Sequence, residues 1–373
     1  MIEQFFELED VTLIPCQTNA GHLGDKVSFN VTDTNDQTGI ADSLPIFTSP
    51  MDSIVGKENA KLFIDAGIKP VLPLTADINT RLEFCQWIFC AFSMREVKAN
   101  FLDKNMRSVN SQFHICIDAG NGHDGGLIRM CGELKKLYGN QVILMVGNVA
   151  CPEVYTDYSR AGIDFMRVGI ASGSLVDKDK FGFHYPMASL LDAIKTYKKS
   201  GGIGLTKQVK IIADGGITSP SDIVKALALG ADYVMIGREF ARLVESYGPV
   251  YMRSKTKSGD WTFTEIDPAT IQGMEGAKAR MNGYRRKYHS NTSLEIRAQL
   301  GGYSSIEDYK KHAPKFKGVE DSKSTWVEID TNLDEWVSNF KRCAYNAFMM
   351  TGTTKWEDFK KVIRYGIAAS FTY

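Results

Sequence analysis

The stretch VKIIADGGITSPSDIVKALALGADYVMIGR, residues 209–238, decides the fold. Its apolar run Val209–Ala213 is too short for a helix and stops at Asp214-Gly215-Gly216, a strong turn signal. Ser219 then offers a helix N-cap, with Pro220 at the first helical position and Asp222 at the third. Ile223, Ala226 and Leu227 keep helical spacing until Gly230 closes the helix. Asp232–Ile236 returns as a buried strand and ends at Gly237. Parallel strands that each end in glycine predict the phosphate cradle of a βα barrel. Backbone N–H groups can approach an anion there without a Cβ in the way. Glycines serving only as tight turns are the simpler alternative.

The same rhythm extends toward the N-terminus. Strands are predicted at Phe113–Ile117, Val142–Val146 and Asp164–Val168, with helices over Gly126–Tyr138, Pro152–Ala161 and Pro186–Lys199. Earlier strands are read in Phe6–Pro15, Pro45–Asp52, Pro70–Pro73 and Trp87–Phe92, and a helix over Lys57–Ala66. About eight strands alternating with helices favour a (β/α)8 TIM barrel over an open doubly wound sheet. After Val250 the rhythm stops. Residues 250–287 read as an excursion over the barrel mouth, with a basic cluster at Arg280, Arg285, Arg286 and Lys287 that reads as solvated charge or an anion contact. Amphipathic helices at Trp336–Tyr345 and Trp356–Tyr365 complete a single domain over 1–373, with 250–317 as a flap-like insertion.

The 373 residues are 43% hydrophobic, ample for one core. Lys+Arg and Asp+Glu both total 44, which argues against a general nucleic-acid or membrane surface. Seven cysteines, without CxxC or zinc-ligand spacing, suit free thiols in a reducing compartment, so the expected location is the cytoplasm and no metal site is expected. Several strands end in polar groups: Asp118-Ala119-Gly120-Asn121-Gly122-His123, Gly147-Asn148 and Arg167-Val168-Gly169. On a βα barrel these ends share one face, where the chemistry sits. Any one of these residues could serve only as a turn former.

The segments FELEDVTLIP, TSPMDS, DAGNGH, VGNV, RVGIASGS, IADGGI and VMIG, in this order, resemble the IMP dehydrogenase and GMP reductase family of βα barrels. The resemblance runs from Phe6 to about Gly352. DAGNGH, and the lack of room for a regulatory domain pair between Leu72 and Phe113, lean toward the reductase branch; Arg167 looks like the dehydrogenase branch. The resemblance implies a purine 5′-monophosphate, NAD or NADP as cofactor, and a homo-oligomer, commonly a tetramer. It would place Thr48 and Met51 beside the nucleotide and Asn148 near the purine. Gly173, Ser174, Gly215, Gly216 and Gly237 would contact the phosphate, and Asp214 would hold the ribose hydroxyls. Asp118, Gly120, Arg167 and Gly169 would lie on the cofactor side, and Tyr288 would come from the segment after the flap.

The departures are as specific as the matches. Family chemistry adds a cysteine thiolate to purine C2 before hydride moves. Here Val176 occupies the cysteine position, and Asp177 and Lys178 replace the two threonines expected next. Arg238 follows Gly237 where the family carries serine or glycine; it could grip a phosphate or fill part of the site. Ala171 replaces a loop glycine whose neighbourhood holds potassium in many members, so that ion is not expected. Cys151 is the best-placed substitute thiol, and Asp177 and Lys178 are candidate acid/base groups. Three readings remain: an NAD(P)-linked purine-nucleotide oxidoreductase with altered chemistry, a non-redox purine-nucleotide enzyme, and a non-catalytic nucleotide-binding partner or regulator.

Overall fold

The computed structural model describes residues 4–18, 23–31, 42–104, 112–173, 175, 182–199, 207–289, 293–312 and 324–367. A short strand β1 (Val11–Ile14) precedes the parallel strands β2 (Ile46–Thr48), β3 (Val71–Leu72), β4 (Phe89–Phe92) and β5 (Phe113–Asp118). These are followed by β6 (Val142–Val149), β7 (Phe165–Val168), β8 (Lys210–Asp214) and β9 (Tyr233–Ile236). The eight hydrogen-bond in the order β2-β9-β8-β7-β6-β5-β4-β3, and a parallel bridge from Phe47 to Lys69 closes the seam. The sheet is therefore a barrel and not an open doubly wound array. At the seam Thr48 N–H donates to Lys69 O at 2.9 Å, and Val71 N–H donates to Thr48 Oγ1 at 2.9 Å. A side-chain hydroxyl thus stands in for a missing rung of the ladder.

Strand periodicity of two sorts the residues. Phe47, Val71, Phe89, Cys116, Ile143, Phe165, Ile212 and Tyr233, one from each strand, form a buried cluster inside the barrel. Phe47 meets Phe89, Phe165 and Tyr233 edge-on, with ring centroids 5.3–5.8 Å apart. The alternate residues, such as Ile115, Leu144, Met166, Ile211 and Val234, join the outer core against the helices. Two residues beyond the inner cluster, the same faces carry Asp118, Arg167 and Asp214. The aromatic plug is the floor and these residues stand on it.

The helices Gly125–Tyr138, Val154–Ala161, Met187–Lys199 and Pro220–Leu229 lie where periodicity predicted them. Ser219 Oγ accepts the Asp222 N–H, and Gly230 ends its helix at φ 123°. Two short helices not read from the sequence, Ile78–Phe84 and Met94–Val97, start at the caps Asp77 and Ser93.

Beyond the barrel, β10 (Val250–Lys255), β11 (Trp261–Ile266), β12 (Tyr284–Tyr288) and β13 (Thr325–Glu328) form an antiparallel sheet in the order β11-β10-β12-β13. Residues read as an irregular excursion therefore contain three paired strands. The basic cluster is not uniformly solvated. Arg286 is fully buried, while Arg285 pairs with Glu328 at 3.0 Å and Lys287 with Glu295 at 3.1 Å. The long helix Leu333–Thr351 packs on Pro220–Leu229. The predicted helix to Tyr365 ends instead at Val362, because β14 (Arg364–Ile367) pairs antiparallel with β1.

Candidate active site

A cavity of about 670 Å³ opens at the C-terminal ends of the barrel strands, within the usual range for a small-molecule site. Its wall includes Met51, Asp118, Gly120, Asn148, Arg167 and Gly169. Gly173, Asp214, Gly215, Gly216, Gly237, Arg238 and Tyr288 continue it. Residues as distant as Met51 and Tyr288 thus meet in one concavity. Thr48 does not. It is fully buried beneath the cavity wall, and its Oγ1 accepts the Val71 N–H at the barrel seam. Ser174, Val176, Asp177 and Lys178 lie outside the described residues.

The charged end of the cavity is a network built on strand ends. Arg167 donates from Nε and Nη2 to Asp214 Oδ2, at 3.1 and 2.8 Å, and from Nη1 to Asp118 Oδ1 at 2.8 Å. Asn148 Nδ2 donates to the same Asp214 Oδ2 at 2.9 Å and to Gly169 O at 2.8 Å. Burial alone would weaken the guanidinium as a cation; Asp214 and then Asp118 outweigh this and hold it charged. Beneath it, Cys116 Sγ accepts from Nη1 at 3.4 Å. Burial pushes that thiol up to about 12, so Cys116 is no nucleophile at neutral pH.

The opposite wall is backbone. Gly215 adopts φ 100°, a left-handed conformation that favours glycine, and a Cβ there would lie 2.9 Å from Ser172 Cβ. A Cβ on Gly237 would lie 2.5 Å from the Tyr288 hydroxyl, so β9 and β12 approach closely only because Gly237 has no side chain. Burial, and then Asp214, push the Tyr288 phenol above its ordinary value, with Arg238 acting against them. The hydroxyl therefore stays protonated and can donate. Arg238 is exposed at the next position.

Tyr288 is aimed by its own strand. On β12 the alternate residues Tyr284, Arg286 and Tyr288 are buried. Arg286 donates to Gly248 O (3.0 Å), Ala241 O (2.8 Å), Leu243 O (2.6 Å) and Ser246 O (2.9 Å). The small sheet is thereby clamped to the loop after β9. Burial lowers the Arg286 guanidinium to about 9, with Glu245 acting against it.

Sequence reasoning passed over Ser49, Ser172, Met235 and Leu300, which also line the cavity. Ser49 and Ser172 sit inside the TSPMDS and RVGIASGS segments and were within reach of it; Leu300 carried no signal. Ala171, the glycine replacement, keeps a glycine-like backbone at φ 55°. Cys151 is not on the cavity wall. Its thiol donates to Glu153 Oε2 at 2.7 Å, and burial, then that carboxylate, push its pKa up. It is a poor substitute nucleophile. Among the described residues no group of three His, Cys, Asp or Glu side chains could hold a metal ion, and no helix is long and apolar enough to cross a membrane.

The profile of the IMP dehydrogenase / GMP reductase domain matches residues 97–368, a span that contains β5 to β9 and most of the cavity wall. The chain belongs to the IMP dehydrogenase / GMP reductase family. It is 30% identical over 293 residues to the GMP reductase of Helicobacter pylori, covering 74% of this chain and 82% of that protein. It is 31% identical over 258 residues to the GMP reductase of Chromobacterium violaceum, covering 67% and 76%. The GMP reductase of an Exiguobacterium strain is 27% identical over 291 residues, covering 74% and 84%. Identities this low mark a divergent member of the family.

Proposed function

We propose that this chain binds a purine nucleoside 5′-monophosphate and a nicotinamide dinucleotide in the strand-end cavity, as an NAD(P)-linked oxidoreductase of altered chemistry. The observation that carries the reading is the polarity of the cavity in a chain of this family. Asp214, Asp118 and Arg167 stand at one end, and the glycine wall leading to exposed Arg238 stands at the other. A phosphate suits the backbone and Arg238 side, where Tyr288 adds a protonated donor. A sugar diol suits Asp214, whose Oδ2 is saturated by Arg167 and Asn148 while Oδ1 is left to accept. The Asp118 and Gly120 edge of the same cavity fits the nicotinamide end, which supplies or accepts the hydride when the dinucleotide is bound.

With Val176 at the cysteine position, we infer a reaction without a thiolate adduct: a reduced dinucleotide, when bound, would supply hydride to purine C2 of GMP, and the 2-amino group would leave as ammonia with a proton delivered by the chain. The chain's part is then to bind, align and exclude water, with Asp177 and Lys178 as the candidate proton carriers. The same Val176 favours a second reading, a nucleotide-binding partner or regulator without turnover. The resemblance also supports a homo-oligomer, and seven cysteines without paired spacing suit the cytoplasm.

One experiment separates the readings. Purified protein is incubated with IMP or GMP and each oxidised or reduced dinucleotide. The near-ultraviolet absorbance of reduced nicotinamide is followed, and melting is measured on the same samples. Turnover supports the oxidoreductase. A bound nucleotide stabilises by about 2.7 kcal/mol at a free concentration about 100 times its Kd, so a melting shift without turnover supports the binding protein. No turnover and no shift with any purine nucleotide overturns both.

A further inference from the structure

We propose that the outer edge of the small sheet, strand β11, is an interface with a second copy of this chain, paired antiparallel about a two-fold axis at Phe263. β11 pairs with β10 in unbroken register from Trp261 to Ile266, and among the described residues it pairs with no other strand. The direction of its remaining backbone groups follows from the strands beyond. Arg253 N–H donates to Gly283 O at 3.4 Å, so the backbone of Arg253 faces β12 and that of Met252 and Ser254 faces β11. Their partners Thr264 and Thr262 are therefore bonded to β10. Trp261, Phe263 and Glu265 alternate with these threonines and point their N–H and C=O groups away from the sheet.

Such an edge is a template for another strand unless lysine, proline, a bulge or a covering segment guards it. The sequence WTFTEI has neither lysine nor proline, its register has no bulge, and Trp261, Thr262, Thr264 and Glu265 are exposed. Threonine, tryptophan, phenylalanine and isoleucine also favour strands.

Charge decides which strand fits. Trp261, Phe263 and Glu265 project from the same face as Arg253 and Lys255 on β10. The Arg253 guanidinium carbon lies 3.4 Å and Lys255 Nζ 4.9 Å from the centroid of the half-exposed Trp261 ring, and Arg253 Nε is buried without an acceptor. A strand laid along this edge meets cations at Trp261, so a carboxylate suits the opposite position. β11 itself supplies one. Opposed residues must share a face, which limits the registers open to two copies. With the axis at Phe263, that residue faces its own copy, Thr262 faces the partner's Thr264, and Trp261 faces the partner's Glu265. Every outward N–H and C=O then finds a partner, and aromatic and threonine pairs form across the axis. Each Glu265 meets the cations over the partner's Trp261. The Tyr251 hydroxyl already donates to Glu265, and a carboxylate has further lone pairs to offer. An axis at Thr264 would set Glu265 against the partner's Phe263 and lose the match. The pairing doubles the four-stranded sheet and closes on itself.

The test reads particle mass, by light scattering and sedimentation of the full chain over a range of concentrations. The wild type is expected at about twice the mass of Phe263→Pro, which loses the central outward N–H and no bond to β10. Glu265→Lys sets like charges opposite one another and should halve the mass as well. Adding Lys255→Glu to the same chain should restore the doubling. Melting is measured for each variant, and Glu265→Lys, an exposed change, carries the test should Phe263→Pro fail to fold. Amides of the segment 261–266 should exchange more slowly in the wild type than in Glu265→Lys. A merely structural Glu265 would lower the melting temperature and leave the mass alone. Equal masses in the wild type and a folded Glu265→Lys overturn the self-pairing and leave the edge to a strand of another protein. Growth beyond the doubling, or no restoration by Lys255→Glu, overturns the two-fold register.

Discussion

The barrel and the small antiparallel sheet reach the same cavity by different physics. Barrel strands are buried on both faces, and their inner positions stack an apolar floor under a charged ring. The sheet β11-β10-β12-β13 buries one face only, and that face holds a fully buried arginine that donates to four backbone carbonyls. Hydrophobic burial positions Asp118, Arg167 and Asp214; directional hydrogen bonds position Tyr288. A site assembled in both ways has one wall that tolerates apolar repacking and one that does not.

The largest expected effect tests the barrel half. Phe47→Ala removes a ring in edge contact with three others and should cost about 3–5 kcal/mol in urea unfolding, whereas Phe47→Leu should cost far less. The sheet half should behave oppositely. Arg286→Met keeps the bulk but takes a donor from four carbonyls, of which Leu243 O keeps the Ser246 N–H, and a loss of about 3 kcal/mol is expected, given about 1–3 kcal/mol for each unsatisfied buried group and partial relaxation. Nucleotide affinity should fall with it, because Tyr288 loses its anchor. A stable Arg286→Met variant that binds normally would break the contrast.

Smaller effects come from the rim loops. Ala171→Gly relieves a left-handed alanine and should stabilise the chain by about 1 kcal/mol or less, since glycine's extra freedom in the unfolded chain offsets part of the gain. An unchanged denaturation midpoint would show that the loop already tolerates alanine. The smallest effect is pH-linked. His123 Nε2 accepts the Ala150 N–H at 2.9 Å, so Nδ1 carries the proton toward Asn121 Oδ1, and burial lowers its pKa. A lowered histidine pKa means that the unfolded chain binds more protons. Stability should therefore fall as pH drops below the histidine's ordinary value near 6.5, and His123→Gln should flatten that slope.

How much of this was legible follows the same contrast. The run from Val209 to Arg238 could be read because its apolar stretches, cap and glycines all point one way, and the structure keeps the Ser219 cap and the Gly230 stop. Asp118, Asn148, Asp214 and Gly237 were legible as polar or glycine ends of predicted strands. Residues 250–287 were not, because Arg285, Arg286 and Lys287 look alike in sequence. Only their alternation on β12 separates the buried residue from the paired ones. Thr48, which the resemblance would set beside the nucleotide, is buried at the seam, where its Oγ1 accepts the Val71 N–H, a partner that no local pattern announces.

The sequence by itself determined the parallel-strand rhythm, the helix caps and which residue types end the strands, because these depend on neighbours a few positions away. The resemblance carried by its motifs also implies valine at the position where the family's thiolate chemistry needs cysteine. Tertiary structure decided the partners: Arg167 between two carboxylates from β5 and β8, Arg286 among backbone carbonyls, and Tyr288 against Gly237. Those depend on which atoms closure of the barrel and docking of the sheet bring within hydrogen-bonding distance, and no local pattern encodes that distance.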